Sequence, residues 1–380
     1  MIPRPLRQDL TILLVLGLAC IAMMWIPSAP KLAMPGGKIE QAQVVEVDNS
    51  TIDTHGLLKF GSQKLKVKVL TGSHTGETIP ASNELRAQLE LDKIFQPGDD
   101  CIVVMPQGNL EDGVVINARD HDRSFWLWTA CIAFCVVLCV FGSWTGAKAL
   151  FSFFLSCLVI WKLVIPLTLR GWSASWIIFG CVVFLTAAIQ FLVAGLNRKG
   201  VAAFSGAIAG VFTGLLLAHG FTAVMKINGA VLPYAQTLLY SGYDFLDLQD
   251  LFVGAMILAS SGAVMDLAMD ISAGVCEVAH HSPKLSRSAL MASGIRMGRS
   301  VVGTMTTTLL LAYSGGYITL LMMFYSQDNS LLEIMNNPLV ASEAAKTLIG
   351  SFSLILVAPF TALFAALLFA NKNRKNGKKH

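Results

Sequence analysis

The sequence predicts a polytopic α-helical membrane protein with eight spans and one small extracytoplasmic all-β domain after the first helix. Hydrophobic residues make up 54% of the chain and charged residues only 14%, against roughly 25% charged in an ordinary soluble domain. Apolar runs recur at the length that crosses a bilayer. One polar segment, about 38–122, separates the first run from the others and alternates apolar and polar residues, as half-exposed strands do.

The first apolar run covers about 10–26 and follows Arg4 and Arg7. A cleaved signal peptide is one interpretation. We prefer an uncleaved anchor, because the run is longer than a typical signal core and Pro27 and Pro30 crowd any cleavage site. Residues 1–28 are therefore expected to form a transmembrane anchor, and 29–124 the β-rich domain.

Strand signals in the polar segment lie at 42–47, 65–70 and 101–105, and turn-forming sequences separate them. They predict a small barrel or sandwich of five or six strands. Cys101 is the single cysteine of this region, which excludes a disulfide within the domain. An envelope component or a partner protein is the expected ligand.

Seven further apolar runs, each long enough to cross a bilayer, form a predicted transmembrane domain at 125–371, followed by a basic tail at 372–380. The runs lie at about 125–145, 149–169, 174–195, 201–221, 249–271, 299–325 and 346–370. Loop charge tests the count of eight, because loops must alternate sides. One side receives most of the basic residues of the short loops and the termini. These are the basic residues of the N-terminus, Lys148, Arg198, Lys199, and those of the 280–299 loop and the tail. This pattern predicts that both termini are cytoplasmic.

Several classes of function are excluded. The net charge of +4 is small and scattered, so nucleic acid is not an expected partner. The sequence has no Walker loop, dinucleotide fingerprint, nucleophile elbow or zinc-protease motif. Glu277 and His280 form one Glu-x-x-His at a helix end, whereas carboxylate-bridged di-iron bundles use two. We therefore predict no enzymatic activity, no cofactor and no metal site.

Glycines at a spacing of four predict close helix packing. Gly206, Gly210 and Gly214 form a flat ridge on one helix. Gly262 and Gly303, on two later helices, are expected to allow close contacts of the same kind.

Two carboxylates within an apolar run are the sharpest functional signal. Asp266 and Asp270 are four residues apart and lie on one helix face. The same face also holds Gly262 and continues toward Glu277. A charge within the bilayer costs roughly 2.5 to 3.5 kcal/mol on insertion scales. Asp266 is expected about 6 Å deeper than Asp270 at 1.5 Å per residue. Asp266 and Asp270 are therefore candidates for ion coupling, together with Thr304 and Thr307 of the next span, and Asp266 is the sharper candidate.

The next span returns antiparallel and carries hydroxyls. Arg299 is expected level with Asp270, and Thr304 and Thr307 level with Asp266. Arg299 and Glu277 are candidates for a gate or charge pair at the inner end, and in the preferred interpretation Asp270 and Arg299 form the inner gate pair. The structural alternative is a fixed ion pair between Asp270 and Arg299, with Asp266 protonated and hydrogen-bonded to Thr304.

Lys162 lies inside another apolar run, before Pro166. It is a candidate for a residue that lines a pathway. The alternative is that its side chain snorkels to the interface.

The sequence resembles the YibE/F-like bacterial membrane proteins. The resemblance rests on the order of helix, β domain and multiple spans, and on Gly262-Ala-Val-Met-Asp266-Leu-Ala-Met and Gly303-Thr-Met-Thr-Thr-Thr-Leu-Leu-Leu-Ala-Tyr313. It implies a multi-pass protein of the bacterial cytoplasmic membrane, without an assigned activity.

A second likeness concerns mechanism. Gly262-x-x-x-Asp266, followed by a Ser/Thr-rich helix, resembles half of a resistance-nodulation-division transporter or of SecD/SecF. That likeness implies a proton-relaying role for Asp266, with Thr304 and Thr307 beside it, and pairing with a second copy or a homologue. The β domain is smaller than a porter domain, and eight spans exceed the six of one half.

The expected function is an ion-coupled, most simply proton-coupled, membrane transporter or export-assisting protein. A sodium-coupled version stays open, since a carboxylate with hydroxyl neighbours also suits sodium. A non-enzymatic scaffold, whose β domain binds its partner while the helices anchor it, is the main alternative. An intramembrane hydrolase that uses Asp266 and Asp270 as an acid pair is the third.

Overall fold

The computed structural model of the chain describes residues 4–25, 37–89, 91–106 and 114–376. The chain divides into two compact units. One is Leu32–Val137, and the other combines Met1–Lys31 with Leu138–His380.

The first unit contains a six-stranded sheet. The predicted strands at 42–47 and 101–105 lie within observed strands, and the one at 65–70 extends one residue beyond its strand. The strands are β1 (Lys38–Asp48), β2 (Ile52–His55), β3 (Leu58–Val69), β4 (Thr78–Arg86), β5 (Asp100–Met105) and β6 (Ile116–His121).

Five of these strands close into a barrel. Their order is β1-β5-β6-β4-β3, and a further pairing of β1 with β3 completes the ring, while β2 extends from β3. The β4–β6 pairing is parallel and the others are antiparallel. A register shift between Val44 and Glu46 lets β1 pair with β5 along its first half and with β3 along its second. The predicted small barrel is confirmed, and its strand order is that of the OB-fold barrel.

The alternation in β3 shows why the sequence folds this way. Leu65 and Val67 point into the barrel and are buried, whereas Lys64, Lys66 and Lys68 between and beside them are exposed. Each of the five barrel strands contributes apolar residues to one continuous core, whereas β2 contributes none. That core comprises Ala42, Val44, Leu65, Val67, Val69, Ile79, Ala81, Phe95, Cys101, Val103, Met105, Ile116 and Ala118.

A buried amide pair lies beside this core. Gln63 of β3 and Asn83 of β4 are opposite each other in register, and Asn83 Nδ2 donates to Gln63 Oε1 at 3.1 Å. Gln63 also donates to the Phe95 carbonyl at 2.9 Å and accepts from the Phe95 backbone N–H at 3.0 Å. These hydrogen bonds attach the segment after β4 to the barrel wall and satisfy polar groups that burial would otherwise penalise.

Helices form the rest of the described chain. Those longer than one or two turns are α1 (Arg4–Met24), α2 (Ser124–Val159), α4 (Ala174–Ala194), α5 (Arg198–Val224), α7 (Leu248–His281), α8 (Arg287–Ser326) and α10 (Pro338–Asn376). The short helices are α3 (Ile165–Thr168), α6 (Ala235–Tyr240) and α9 (Leu331–Asn336), and a π-helical turn at Ile160–Val164 joins α2 to α3. Within the described residues, six helical segments are long and apolar enough to cross a membrane, and Leu10–Met24 is a shorter apolar helix.

Two of the predicted runs, 125–145 and 149–169, lie in one helical segment, Ser124–Thr168. The segment is not straight, because Ser143 has non-helical angles, φ 47° and ψ −127°. Gly146 then lies so close to the Leu138 carbonyl that a β-carbon on it would overlap that oxygen. In a continuous helix these two residues would be roughly 12 Å apart along the axis. The chain therefore bends sharply near the end of the first of these two predicted runs.

The π-helical turn has a chemical cause. Pro166 has no backbone N–H and its ring crowds the carbonyl four residues earlier, that of Lys162. The helix widens just before it, and the Ile165 N–H bonds to the Ile160 carbonyl, five residues back. Lys162 is therefore on a locally widened helix, which its apolar run did not predict.

Candidate functional site

Asp266 and Asp270 lie on the exposed face of α7. The opposite face is buried in the helical unit through residues that include Val264, Leu267 and Ile271. Both carboxylates share their face with the exposed Gly262, as the spacing predicted. Within one chain, the two aspartates therefore point away from the helix bundle.

The predicted partners on α8 are also exposed. Thr304 and Thr307 donate their hydroxyls to carbonyls of their own helix, those of Val301 at 2.8 Å and Gly303 at 2.9 Å. The described contacts include no hydrogen bond between Thr304 and Asp266. We refer to Gly262, Asp266 and Asp270 of α7 with Gly303, Thr304 and Thr307 of α8 as the α7–α8 polar surface.

Helices α7 and α8 pack together at one end. A β-carbon on Gly298 would lie 3.3 Å from Ile271 Cδ1, and one on Gly274 would overlap Met297. Arg299 is therefore level with Asp270, as expected. Among the described ion pairs, none joins Arg299 to Asp270, so the predicted pair is not formed within one chain.

Glu277 continues the aspartate face and is exposed. Its carboxylate lies 3.8 Å from His281 Nε2, one turn further along α7. The described residues contain no group of three or more His, Cys, Asp or Glu arranged to hold a metal ion. Lys162 is partly buried in the π-helical turn.

The glycine ridge of α5 packs against α10. A β-carbon on Gly206, Gly210 or Gly214 would overlap Thr361, Val357 or Ser353, respectively. This close packing was predicted. The β-carbon positions of Gly262 and Gly303 instead meet no atom within 4 Å, so these two glycines make no close helix contact inside one chain.

Sequence reasoning missed a polar cluster at the other end of α7. Asp250, in the first turn of α7, accepts hydrogen bonds from Ser173 Oγ at 2.8 Å and from the Ser175 backbone N–H at 3.1 Å. Ser175 Oγ lies 3.2 Å from His219 Nε2 on α5. Ser173 precedes α4, so the ends of α4, α5 and α7 meet here.

The cluster had only a local signal in the sequence. Asp247 and Asp250 before an apolar run indicate a helix start, and Asp247 does cap α7 by accepting from the N–H groups of Gln249 and Asp250. That signal does not reveal that Asp250 also binds the start of α4, 75 residues away in sequence.

The fold and these sites define a helical membrane protein that carries a small β-barrel domain. A family profile described as YibE/F-like protein matches residues 130–371, and the profile of the YibE/F family N-terminal domain matches residues 33–117. The chain belongs to the YibE/F-like family, as its motifs suggested. Comparisons with curated proteins and with solved structures found no match.

Proposed function

We propose that the chain is an ion-coupled membrane transporter or export-assisting protein in which Asp266 carries the ion. The observation that carries this proposal is a carboxylate on the exposed face of α7, one of the helices that are apolar enough to cross a membrane. An ionisable residue within a membrane segment is costly and is usually functional. The likeness of Gly262-x-x-x-Asp266 to resistance-nodulation-division and SecD/SecF helices supports a proton as the coupling ion.

The proposal includes eight spans. If Ser124–Thr168 were one straight α-helix, its 45 residues would be about 68 Å long. That is roughly twice the thickness of the hydrocarbon core of a bilayer. The break at Ser143 favours two spans from this segment, and Arg4–Met24 supplies another. With the remaining five long helices this gives eight.

The proposal also places both termini in the cytoplasm and the barrel outside the cytoplasmic membrane of a bacterium. Its support is the distribution of lysines and arginines among the termini and the short loops, with the barrel segment set aside, where they concentrate in the same set of alternating loops. Asp266 and Asp270 face away from the helix bundle of their own chain, so the free-energy cost of placing their carboxylates in lipid has to be lowered by a partner.

A second copy of the chain, or a homologous membrane protein, covers the α7–α8 polar surface in our proposal. Gly262 and Gly303 have open β-carbon positions, so another backbone can approach closely there. Such a partner would bring hydroxyls toward Asp266 and allow Asp270 to meet an Arg299 across the interface. In one helix packing the charged carboxylate of Asp266 would have polar neighbours, and in the other the protonated carboxyl would lie in apolar surroundings. The two packings would therefore differ in their affinity for the ion.

Reconstitution tests ion coupling directly. Liposomes that contain the wild-type chain and an enclosed pH dye are expected to show proton flux under an imposed potential. Asp266→Asn abolishes that flux in our proposal, and Asp266→Glu retains part of it. Asp244→Asn, an exposed loop carboxylate, is the matched control and keeps the wild-type rate. Equal flux in the wild-type and Asp266→Asn proteins, or none in either with sodium or proton gradients, contradicts ion coupling.

Crosslinking tests the interface. Gly262→Cys, in a chain whose native cysteines are replaced by alanine, is expected to form a disulfide-linked dimer on oxidation. Gly180→Cys on α4 is the control, because its β-carbon position is equally open and it lies outside the α7–α8 polar surface. Equal crosslinking of the two variants contradicts a specific interface.

A scaffold role is the second candidate, favoured by the barrel. Barrels of this strand order commonly bind oligosaccharides or oligonucleotides across two neighbouring strands. Here the corresponding strand β3 presents Lys64, Lys66 and Lys68 outward, and Lys66 forms an ion pair with Glu46 of β1 at 2.7 Å. This basic strand suits an anionic envelope component. A phenotype that survives Asp266→Asn but is lost on deletion of 38–122 would favour this role over transport.

A further inference from the structure

A cleft of about 330 Å³ lies at the end of the helical unit where α4 and α7 begin. This volume is at the lower end of the range of small-molecule pockets. Two chain segments form its walls, the link before α4 and the loop before α7. The two segments meet at Gly171, whose φ is +86°. The Phe245 ring lies 3.3 Å from the position that a β-carbon of Gly171 would take, so the absence of a side chain leaves room for the ring. The lining residues are Thr168, Gly171, Trp172, Ser173, Ala174, Phe245, Leu246, Asp247, Asp250 and Leu251.

The charge of the cleft is negative. Asp247 and Asp250 both line it, and the described lining contains no lysine or arginine. The N-termini of α4 and α7 point toward these carboxylates and together contribute about one positive charge, at about half a charge each. His219, a side chain that can become cationic, lies 3.2 Å from the hydroxyl of Ser175, whose backbone N–H donates to Asp250. The lining itself holds two carboxylates and no basic residue among the described residues, which favours a cation.

Aromatic side chains form part of the wall. Trp172 and Phe245 are 65% and 58% exposed, so ring surface is accessible to a ligand. Tyr243 packs edge-on against Phe245, with ring centroids 6.1 Å apart. Aromatic faces next to a carboxylate are the surroundings that bind ammonium groups, whereas an inorganic cation prefers a shell of oxygens.

A buried hydroxyl supplies an independent indication of a ligand. Thr168 is 7% exposed and is one of the residues that line the cleft. Its Oγ1 has no hydrogen-bond partner among the described residues, although a hydroxyl in a helix commonly bonds a carbonyl of the preceding turn. An unpaired buried hydroxyl is unfavourable, and a polar ligand in the cleft would satisfy it.

From these observations we propose that the cleft binds a small organic cation that carries an ammonium group. Asp250 neutralises the ammonium, and Trp172 and Phe245 contact it through their ring faces. Thr168 accepts a hydrogen bond from it or from a polar group beside it. This site is separate from the α7–α8 polar surface and does not depend on ion coupling at Asp266.

Calorimetric titration of the full chain in nanodiscs tests the proposal, with choline as the probe. Its neutral isostere, 3,3-dimethyl-1-butanol, measures the contribution of charge, and sodium chloride measures competition by an inorganic cation. Choline is expected to bind saturably, at least about tenfold more tightly than the isostere, which corresponds to about 1.4 kcal/mol. Sodium at equal concentration is expected not to displace it.

Variants locate the site. Asp250→Asn keeps an oxygen for Ser173 and Ser175 but removes the charge, and it is expected to weaken choline binding about tenfold or more. Trp172→Leu should weaken binding without touching the capping hydrogen bonds, so it tests the site even if the Asp250 variant misfolds. Asp244→Asn, on the same loop but outside the lining, and Asp266→Asn should both bind as the wild type does. The proposal is overturned if choline does not bind, if its isostere binds equally, if sodium displaces it, or if Trp172→Leu binds like the wild type.

Discussion

Gly206 of α5 lies so close to Thr361 of α10 that a β-carbon on the glycine would overlap the threonine side chain. β-carbons on the next two glycines of the ridge would overlap Val357 and Ser353, so the absence of side chains on α5 lets α10 approach closely. Gly206→Val is expected to force them apart and destabilise the helical unit by about 1–3 kcal/mol. Thermal unfolding in detergent, followed by circular dichroism, measures the effect. Gly180→Val is the control, because its position is open; an equal loss of stability in both variants would show that the ridge has no special packing role.

The barrel should depend on the buried Gln63–Asn83 pair. Gln63→Leu removes one of the two hydrogen bonds of the Asn83 amide and both of those that Gln63 makes with the Phe95 backbone. Each buried group left unpaired costs about 1–3 kcal/mol. Limited proteolysis of the full chain should cut the barrel faster in this variant. Gln88→Leu, at an exposed position, should be cut at the wild-type rate. Wild-type resistance in Gln63→Leu would mean that the pair is not needed to close the barrel.

Acid should weaken the junction between β6 and α2. The Ser124 hydroxyl, the Ser124 backbone N–H and the Gln41 amide donate hydrogen bonds to Asp122, and they hold the pKa of its carboxyl below its usual range. Because the folded-state pKa is lowered, this stabilisation is complete above the unfolded pKa of about 3.9. It is lost as the pH falls through the lowered value.

Asp122→Asn tests this linkage. Hydrogen exchange of β1 and β6, measured with increasing urea, should show a variant that is less stable than the wild type at pH 7, with a smaller difference near pH 3. Asp53→Asn, an exposed carboxylate on β2, controls for the loss of one charge. A difference between the wild type and Asp122→Asn that stays constant with pH would contradict the assigned role.

Cys101 should be unreactive while the barrel is folded. Its thiol is fully buried, and burial, followed by the neighbouring carboxylates of Asp100, Asp99 and Asp122, raises its pKa to about 12. In a chain in which Cys101 is the single cysteine, maleimide labelling at pH 7.5 should require urea or Gln63→Leu. Immediate labelling of the native protein would show that the barrel opens readily.

Much of the architecture followed from periodicity. The alternation around Leu65 and Val67 predicted β3, and the spacing of Asp266 and Asp270 predicted their shared face. Periodicity does not determine what that face contacts, and the structure leaves it uncovered in one chain. The glycine spacing likewise predicted close packing for both Gly206 and Gly262. Gly206 packs against Thr361 of α10, whereas Gly262 contacts no other helix within one chain, and the sequence does not distinguish the two cases.

Other features depended on contacts between distant residues. The cluster of Asp250, Ser175 and His219 joins three helices, and no local pattern links them. The bend at Ser143 lies a few residues before the gap between the predicted runs at 125–145 and 149–169, and the sequence pattern did not identify Ser143 as the residue that breaks the helix. The π-helical turn before Pro166 was predictable in principle, because proline removes the hydrogen bond that the α-helix needs there.

The central claim is that Asp266 is a carboxyl that loads and releases a proton in apolar surroundings. Carbodiimide labelling of the reconstituted protein, mapped by peptide mass, tests it most directly, because the reagent modifies protonated carboxyls. We predict labelling of Asp266 that decreases as the pH is raised, and no labelling of that peptide in Asp266→Asn. Exposed carboxylates such as Asp53 show that the reagent is active at low pH. An Asp266 that stays unlabelled at every pH, while Asp53 reacts at low pH, would contradict the ion-carrier role.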